Sequence, residues 1–274
     1  MPEGHVLHRA ARLQSRRFRG HVVAASSPQG RFADGAAQLD GQRLDGIDAL
    51  GKHLFYRFDS GDVLHVHLGL FGKFRVRTRP APEPSPNARL VLETATDHLH
   101  LAGPTACALI DPDEEADVRA RLGPDPILEP ADGAAEMERR LGRRSISIGA
   151  ALLDQKVVAG IGNVYRSELL FLAGVHPLTV AKTLDPATVD SIWRRSVDAL
   201  QAGERMGRIV TVVPAEMGAA TPRELARGDR LYTYKRDGSP CRRCDDEIRT
   251  ADADGRNVWW CPTCQPATGE LVAR

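Results

Sequence analysis

The first stretch of the chain places apolar residues at helical spacing. Within residues 3–17, side chains such as Val6, Leu7 and Ala10 recur near one face, and arginines and histidines crowd the remaining positions. This pattern predicts an amphipathic helix that buries its apolar face and exposes its charges.

Between about 20 and 110 the pattern changes to short runs rich in β-forming residues, separated by glycine, aspartate and proline. The runs include HLFYRF, DVLHVHLGLFGKFRV, ARLVLET and HLHLAG. Such a series predicts an antiparallel sandwich or barrel. The segment PAPEPSP, residues 80–86, is expected to be an exposed loop between two strands.

From about residue 112 the strand pattern fades and charged helical segments continue to about residue 215. Proline and glycine cluster in RLGPDPILEPADGAA, which suggests a connection between domains. A long irregular loop is expected at 214–230. The chain is therefore predicted to be an α+β multidomain protein with five parts: a β-domain at 1–120, a linker at 121–138, a helical domain at 139–230, a cysteine module at 231–266 and a tail at 267–274.

The composition limits the partners of this protein. Its 274 residues, 42% of them hydrophobic, suffice for two domains with cores. The formal net charge is only +1, so any nucleic-acid site has to be a local basic face. No apolar run of about 18 residues and no signal-peptide core are present, so we expect no membrane span and a cytoplasmic location.

Four of the five cysteines form two Cys-x2-Cys pairs, CRRC and CPTC, sixteen residues apart. Two such turns supply the four thiolates of one tetrahedral Zn²⁺ site, and a closed four-thiolate site is structural. Two disulfides or a redox dithiol are the alternative. The ligands would be Cys241, Cys244, Cys261 and Cys264, whereas Cys107 is expected to be a small buried apolar residue.

The segment between the two cysteine pairs resembles a hairpin with DADG at its turn, directly before Arg256. A hairpin held by zinc could direct this arginine toward a phosphate. On spacing alone, a solvated surface charge is the more common role for such a residue.

The chain begins Met1-Pro2-Glu3. Proline after the initiator methionine permits removal of that methionine, which would leave a secondary amine of low pKa at the start of a helix. Such an amine can form an iminium ion with an aldehyde-level carbon, and Glu3 could act as general acid or base. Taken alone, the residues favour the simpler interpretation, proline and glutamate at an ordinary helix start.

A glycine-rich motif, LLDQKVVAGIGNVYRSELL at residues 152–170, predicts an apolar helix, a GIGN turn and a second helix. Glycines and Asn163 at a helix start allow close approach of a phosphate, although a tight helix–helix connection is the alternative. Residues 139–168 contain six basic and two acidic residues, which supplies the local basic face. The basic residues are Arg139, Arg140, Arg143, Arg144, Lys156 and Arg166.

Taken in order, these motifs resemble the formamidopyrimidine-DNA glycosylase and endonuclease VIII family. The likeness spans nearly the whole chain: PEG, GKHLF, HLGLFGKF, RLGPDP, LLDQ with AGIGNVYRSELL, and GRNVWWCPTCQ. It implies an N-terminal β-sandwich with flanking helices, a helix–two-turn–helix domain and a C-terminal zinc-finger hairpin. It also implies a monomer that binds damaged DNA, flips the nucleotide out of the duplex and carries one structural zinc ion.

The resemblance also implies roles for single residues. Pro2 would attack C1′, Glu3 would donate the proton for sugar-ring opening, and Lys52 would assist β-elimination. Arg256 would bind the lesion phosphate and assist δ-elimination. Residues expected to contact DNA are Leu70, Phe71, Arg121, Lys156 and Asn163.

Within the family, Pro-Glu-Gly and LLDQ are more similar to endonuclease VIII, in particular to an actinobacterial paralogue, than to the purine-specific branch. HLAGPTACALID lacks the Arg-Arg-Phe-Gly loop of that branch. We therefore expect oxidised pyrimidines as substrates. One departure is the triplet Gly69-Leu70-Phe71, where bacterial endonuclease VIII has Gln-Leu-Tyr; its glutamine hydrogen bonds to the orphaned base are lost.

Two other hypotheses remain open. The chain could be a catalytically silent DNA-damage binder of the same fold, although the intact Pro2–Glu3 pair argues against this. It could also be a zinc-ribbon scaffold for nucleic acids without any chemistry. Borohydride trapping separates all three hypotheses, because only a Schiff-base enzyme becomes covalently linked to DNA.

Overall fold

The computed structural model describes residues 2–272, and Met1, Ala273 and Arg274 lie outside them. The chain divides into two compact units, with the boundary between Arg121 and Leu122. No helix in the described range is long and apolar enough to cross a membrane.

The first unit is built on two antiparallel four-stranded sheets. One sheet has the order β1-β6-β7-β5, and the other has the order β2-β3-β4-β8. The strands are β1 (Ala24–Ser26), β2 (Leu44–Leu50), β3 (His53–Phe58), β4 (Val63–His67), β5 (Lys73–Thr78), β6 (Ala88–Glu93), β7 (Asp97–Ala102) and β8 (Ala106–Ile110). Two separate sheets identify the fold as a sandwich rather than a closed barrel.

Three helices accompany these sheets: α1 (Gly4–Phe18), α2 (Ala33–Leu39) and α3 (Pro112–Arg121). Alternate residues of both sheets, such as Leu54 of β3 and Leu99 of β7, share one buried core with Leu7 of α1. Period-two burial in the strands and a single apolar stripe on α1 explain this packing. The predicted N-terminal helix is therefore present, and the loop at 80–86 does connect two strands.

The second unit contains α4 (Gly133–Leu141), α5 (Ile148–Ala151), α6 (Asn163–Ala173) and α7 (Pro186–Met206). Trp193 of α7 and Tyr165 of α6 are central to their core. Two short strands follow, β9 (Arg249–Asp252) and β10 (Asn257–Trp260), which pair as an antiparallel hairpin. The hairpin and the cysteine turns form a further apolar cluster with Phe171 of α6.

The structure differs from the sequence expectations in three places. Helix α2 was not predicted. The segment LLDQKVV was expected to be helical but forms turns, and the helix before GIGN is the four-residue α5. Residues 121–138, expected to be a linker between domains, include the buried residues 123–126 and the first turns of α4, which begins at Gly133. Gly123 explains part of this packing, since a Cβ there would lie 2.4 Å from the carbonyl oxygen of Val157.

Candidate active site and zinc finger

Pro2 and Glu3 lie directly before α1. Glu3 is the N-cap residue and is fully buried, whereas Pro2 is half-buried. The Val6 amide donates to the Glu3 carbonyl at 2.8 Å, which fixes the backbone where the helix begins. His5, two residues further on, is buried, and this burial lowers its pKa to about 4. A neutral imidazole therefore lies two residues after Glu3 at neutral pH.

Pro2 opens onto a groove of about 830 Å³ within the first unit. The groove extends along α1 to β5 and is mainly apolar, and Leu70 lines it as well. Arginine and lysine side chains also line it: Arg9, Arg16, Arg17 and Lys73. The folded chain thus brings Pro2 and Leu70, which are far apart in sequence, to the same groove.

Lys52 lies in the two-residue connection between β2 and β3, where Leu50 pairs with His53. Gly51 beside it has φ +57°, the left-handed conformation that such a tight connection requires. Lys52 is half-buried and close enough to His53 and His67 to lower the pKa of each. The hairpin thereby holds the lysine at the end of the β2-β3-β4-β8 sheet.

Three histidines beside Lys52 were not singled out from the sequence. His53 Nδ1 lies 2.8 Å from His65 Nε2, and the ring of His67 lies 4.9 Å from that of His53. Burial, with the neighbouring His67 and His65 adding to it, lowers the pKa of His53 to about 3. Burial is also the main cause of the lowered pKa values of His65 and His67. The cluster is thus neutral at pH 7, and Lys52 is a cation beside it.

This cluster follows from period-two geometry, which could have revealed it in the sequence. His53 on β3 pairs with His67 on β4, and His65 is two residues earlier, on the same face. Arg121, at the end of α3, also lowers the pKa of His53. Lys52 and Arg121, both expected from the sequence to act on DNA, therefore lie near the same histidine.

The turn at residues 68–72 presents two apolar side chains to solvent. Leu70 is 56% exposed and Phe71 is 84% exposed. The Gly72 amide donates to the Leu68 carbonyl at 2.9 Å, and the Gly69 amide donates to His67 Nδ1 at 3.2 Å. These bonds hold the backbone of the turn while its apolar tip stays uncovered.

In the second unit the GIGN turn is held by Gln155. Its amide nitrogen donates to the carbonyls of Leu153 and Ile161, at 2.9 and 3.0 Å, and its amide oxygen accepts from Gly160 at 3.0 Å. The turn leads into α6 at Asn163. Lys156 is exposed on the same loop, as expected of a residue that contacts DNA.

Arg166 does not belong to the basic face predicted from the sequence, because its side chain is fully buried. It donates to the Asn163 side chain and to the carbonyls of Arg256 and Asn257, the last two at 3.1 and 2.8 Å. Asn163 also donates to the Asn257 carbonyl at 3.3 Å. A buried arginine thus ties the GIGN turn to the hairpin and brings Asn163 close to the backbone of Arg256.

The four paired cysteines converge on one point. Their sulfur atoms all lie within 4.8 Å of one another, and the Cys244–Cys261 and Cys241–Cys264 sulfurs are 3.4 and 3.8 Å apart. A tetrahedral zinc ion with bonds of about 2.3 Å needs sulfurs about 3.8 Å apart, whereas a disulfide needs about 2.05 Å. The cluster therefore matches one zinc ion and excludes the disulfide alternative. Cys107 is only half-buried, and burial raises its pKa to about 12.

Arg256 is exposed at the turn between β9 and β10. The Ala253 amide donates to the Arg256 carbonyl at 3.0 Å and closes the turn, and Gly255 has φ +73°. The hairpin predicted from DADG is present, and the arginine backbone is fixed by Arg166 from the other side.

Comparisons with known proteins account for all of these parts. The formamidopyrimidine-DNA glycosylase N-terminal domain matches residues 1–110, and the formamidopyrimidine-DNA glycosylase H2TH domain matches residues 122–214. The zinc finger found in FPG and IleRS matches residues 238–267. Endonuclease 8 1 of Mycobacterium tuberculosis (strain ATCC 25618 / H37Rv) is 47% identical over 269 residues, which cover 97% of this chain and 100% of that protein. This chain belongs to the formamidopyrimidine-DNA glycosylase family.

Other members of the formamidopyrimidine-DNA glycosylase family are less similar. The DNA-(apurinic or apyrimidinic site) lyase Nei2 of Mycolicibacterium smegmatis is 34% identical, covering 98% of this chain and 100% of the relative. A structure of the Lactococcus lactis Fpg in complex with abasic-site DNA superposes with a TM-score of 0.78 and 26% identity over 96% of this chain and 99% of that one. The family resemblance, the fold class and the zinc finger inferred from the sequence are confirmed.

Proposed function

We propose that this protein is a bifunctional DNA glycosylase and AP lyase of base excision repair that uses the Pro2 amine as its nucleophile. The observation that carries the proposal is the placement of a half-buried Pro2 and a fully buried Glu3 directly before α1, beside an apolar groove. The names of the family relatives, endonuclease 8, AP lyase and glycosylase, support the reaction class. Removal of Met1, which lies outside the described residues, is part of the proposal.

The first step is displacement of the damaged base. The lone pair of the Pro2 nitrogen forms a bond to C1′, the glycosidic bond breaks with its electron pair on the base, and the base leaves with a proton. The amine loses its own proton in the same stage. Glu3 then donates a proton to O4′ as the C1′–O4′ bond breaks, which gives an iminium ion on an opened sugar.

The second stage cuts the strand. Loss of a C2′ proton expels the 3′ phosphate by β-elimination, and a further proton loss expels the 5′ phosphate by δ-elimination. Water then releases Pro2 from the sugar fragment. We assign Lys52 to assist β-elimination and to bind phosphate, since it is the cation beside three neutral histidines. Arg256 is assigned to the lesion phosphate and to δ-elimination, and the product is a gap with phosphate ends.

The remaining residues are assigned to DNA binding. Asn163 at the start of α6 and Lys156 on the preceding loop are suited to phosphates. Arg121 ends α3 close to His53. Leu70 and Phe71 are proposed to fill the space left by the extruded nucleotide. Zinc is proposed to be structural, because all four ligand positions are thiolates.

The substrate is proposed to be an oxidised pyrimidine. The connection at residues 103–105 between β7 and β8 is short and lacks the Arg-Arg-Phe-Gly loop of the purine-specific branch, which supports this preference. We further propose that the protein acts as a monomer in the cytoplasm.

Borohydride trapping tests the proposal. Processed protein should become covalently linked to lesion-containing DNA, whereas protein that keeps an N-terminal tag should not, because its proline nitrogen is an amide. A C-terminal tag is the matched control and should trap normally. Mass spectrometry of the intact chain reports whether Met1 is removed. Equal trapping by N-terminally tagged and processed protein would refute Pro2 as the nucleophile, and no trapping by either would favour a silent damage binder.

A further inference from the structure

A basic pocket lies on the outer face of the β1-β6-β7-β5 sheet, away from Pro2 and the groove described above. It has a volume of about 120 Å³ and is lined by Arg75 and Arg77 of β5 and by His98 and His100 of β7. The pocket is closed on one side by residues from the loop at 80–86, including Glu83, the carboxylate among its lining residues.

The four basic side chains are brought together by strand register. Arg75 pairs with His100 and Arg77 pairs with His98, so all four project to the same side of the sheet. His98 is only 4% exposed, and its Nε2 lies 2.5 Å from His100 Nε2. The two arginines are exposed, and within residues 2–272 neither guanidinium group forms a hydrogen bond or an ion pair. The pocket therefore contains two available guanidinium groups above a pair of imidazoles.

Protection of the sheet edge accounts for only part of this arrangement. β5 is an edge strand, and edge strands often carry lysine or arginine to prevent pairing with other chains. That role explains the exposed Lys73, Arg75 and Arg77. It does not by itself explain why His98 is only 4% exposed, with its Nε2 beside His100 and its Nδ1 3.9 Å from Glu93 Oε1, since burying a polar group costs free energy that such partners only offset.

The volume and the donors of the pocket match a phosphate group. At about 30 Å³ per water molecule the pocket has room for roughly four waters, which is enough for a tetrahedral oxyanion. Guanidinium groups bind phosphate oxygens with paired N–H donors, and imidazoles add further donors. Cations recur at every second residue of β5, in Lys73, Arg75 and Arg77, so a polyanion could follow the strand.

We propose that this pocket binds backbone phosphates of the DNA duplex that flanks the lesion, so that β5 extends the DNA-binding surface of the first unit. The proposal rests on the proposed function, since it takes the turn at residues 68–72 to lie at the lesion. β5 leads away from that turn, and Arg77 is six residues beyond Phe71. At about 3.3 Å per residue this is about 20 Å, or about six base pairs at about 3.4 Å each.

The length of the duplex therefore provides the test. The variant Arg75→Gln/Arg77→Gln is compared with wild type on two duplexes that contain a stable abasic-site analogue. In one duplex the analogue has about four base pairs on each side, and in the other it has about twelve, since only the second reaches about 20 Å. The matched control is Arg19→Gln/Arg31→Gln, which removes the same charge from two exposed positions of the same unit.

On the long duplex we expect the Arg75/Arg77 variant to bind about tenfold more weakly, with a salt slope shallower by about two, one for each lost arginine. On the short duplex it should bind as wild type does. The control variant should change affinity less than twofold on both. Loss of affinity that is equal on the two duplexes, or equal in variant and control, would overturn the proposal and leave edge protection as the role of the arginines.

A titration with inorganic phosphate shows whether the pocket binds DNA phosphates or free phosphate. Imidazole NMR signals of His98 and His100 should shift on addition of the long duplex, and not in the Arg75/Arg77 variant. Shifts with inorganic phosphate but none with DNA would mean that the pocket binds free phosphate, which also overturns the proposal. Trapping of the wild-type protein on a short duplex that carries a true abasic site in place of the stable analogue reports on Pro2 alone, because only an aldehyde-level C1′ forms a Schiff base, so failure of the proposed function is distinguishable from failure of this inference.

Discussion

At the scale of single residues, the structure explains why position 69 of the exposed turn at 68–72 is a glycine. Its φ is +64°, a conformation that side chains rarely adopt, and a Cβ there would lie 1.8 Å from Thr105 Oγ1. Bacterial endonuclease VIII has glutamine at the matching position. In this chain a glutamine could therefore replace Gly69 only if the Thr105 side chain moved. Glycine at 69 is explained by its positive φ and by the Thr105 side chain of the neighbouring β7–β8 turn, whose hydroxyl lies where a Cβ would be.

We predict that Gly69→Gln lowers the free energy of unfolding by about 2–3 kcal/mol, from backbone strain plus the clash. Gly20→Gln is the matched control, because Gly20 has φ +82° but nothing within 4 Å of a Cβ; it should cost about 1 kcal/mol. Thr105→Ala should recover part of the Gly69→Gln loss in a double-mutant cycle measured by urea unfolding. Equal losses in the two glutamine variants would show that Thr105 presents no obstacle.

The buried histidines make stability depend on pH. The pKa of folded His53 is lowered to about 3, against about 6.5 in an unfolded chain. Above pH 6.5 both states are neutral and nothing is lost. As pH falls from about 6.5 toward 3, only the unfolded state takes up the proton, so the free energy of unfolding decreases.

For His53 this decrease approaches about 1.4 kcal/mol per pH unit below pH 6. The variant His53→Gln cannot take up that proton, so its stability should fall less steeply than that of wild type between pH 6 and 4.5. Urea midpoints at several pH values measure the difference in slope, which is independent of any loss at pH 7. His21→Gln, at an exposed position, is the control and should leave the slope unchanged. Parallel profiles for His53→Gln and wild type would mean that His53 is protonated in the folded protein.

At the scale of elements, buried hydrogen bonds join the zinc finger to α6. Glu168 of α6 is fully buried and accepts hydrogen bonds from the amides of Tyr232, Thr233 and Tyr234, at 2.7 to 2.8 Å. Arg166, two residues earlier on the same helix, binds the hairpin backbone. The cysteine cluster holds the other end of the hairpin, so Arg256 is fixed by both the metal site and the helix.

Removal of the metal should therefore free Arg256 without unfolding the first unit. We predict that chelation, or Cys261→Ser, increases amide exchange in β9 and β10 and weakens DNA binding, because the hairpin loses one of its two anchors. Arg256→Ala should weaken binding with the hairpin intact and make the salt slope shallower by about one. Elemental analysis gives the zinc content. Active protein without metal, or unchanged hairpin exchange after chelation, would contradict this role.

Elements with strong local patterns were predictable, and elements defined by distant contacts were not. The apolar stripe on α1 and the spacing of the paired cysteines each involve residues that are close in sequence, so the sequence pattern alone predicts the structure. Helix α2 has only Ala36 and Leu39 buried, too few to give a period. Arg166 was misassigned to a basic face, because its partners Arg256 and Asn257 lie about ninety residues away in sequence. Tertiary contacts, rather than local pattern, decided these cases.

At the scale of the whole molecule, a net charge of +1 results from nearly equal numbers of basic and acidic residues, 37 and 36, rather than from a lack of charge, and many of these charges are paired. Arg139 and Arg140 pair with Glu136, and Arg144 pairs with Asp154. Cations without such partners therefore decide where a polyanion can bind. Positions such as Lys156, Arg256 and the β5 arginines are exposed, in contrast to the fully buried Arg166.

The preferred lesion is a further property that no single residue or element determines. It depends on the turn at 68–72, the short β7–β8 connection and the groove beside Pro2 together. Leu70 and Phe71 can occupy vacated space, but their side chains offer no hydrogen bonds to the orphaned base. The connection at 103–105 consists of Gly103, Pro104 and Thr105 and carries no arginine that could recognise an oxidised purine. Discrimination then falls to the ease with which each damaged pair unstacks, which favours weakened pyrimidine pairs and already opened DNA.

We therefore predict faster excision of oxidised pyrimidines than of 8-oxoguanine, with little dependence on the opposite base. Single-turnover rates for 5-hydroxyuracil, dihydrothymine and 8-oxoguanine, each opposite all four bases and in single strands, test this. An abasic site is the control, because its cleavage needs Pro2 but no base recognition. Leu70→Ala and Phe71→Ala should slow excision from duplexes more than from single strands, since only a duplex leaves space to fill. Faster excision of 8-oxoguanine, with strong dependence on an opposite cytosine, would place this chain with the purine-specific members of the family.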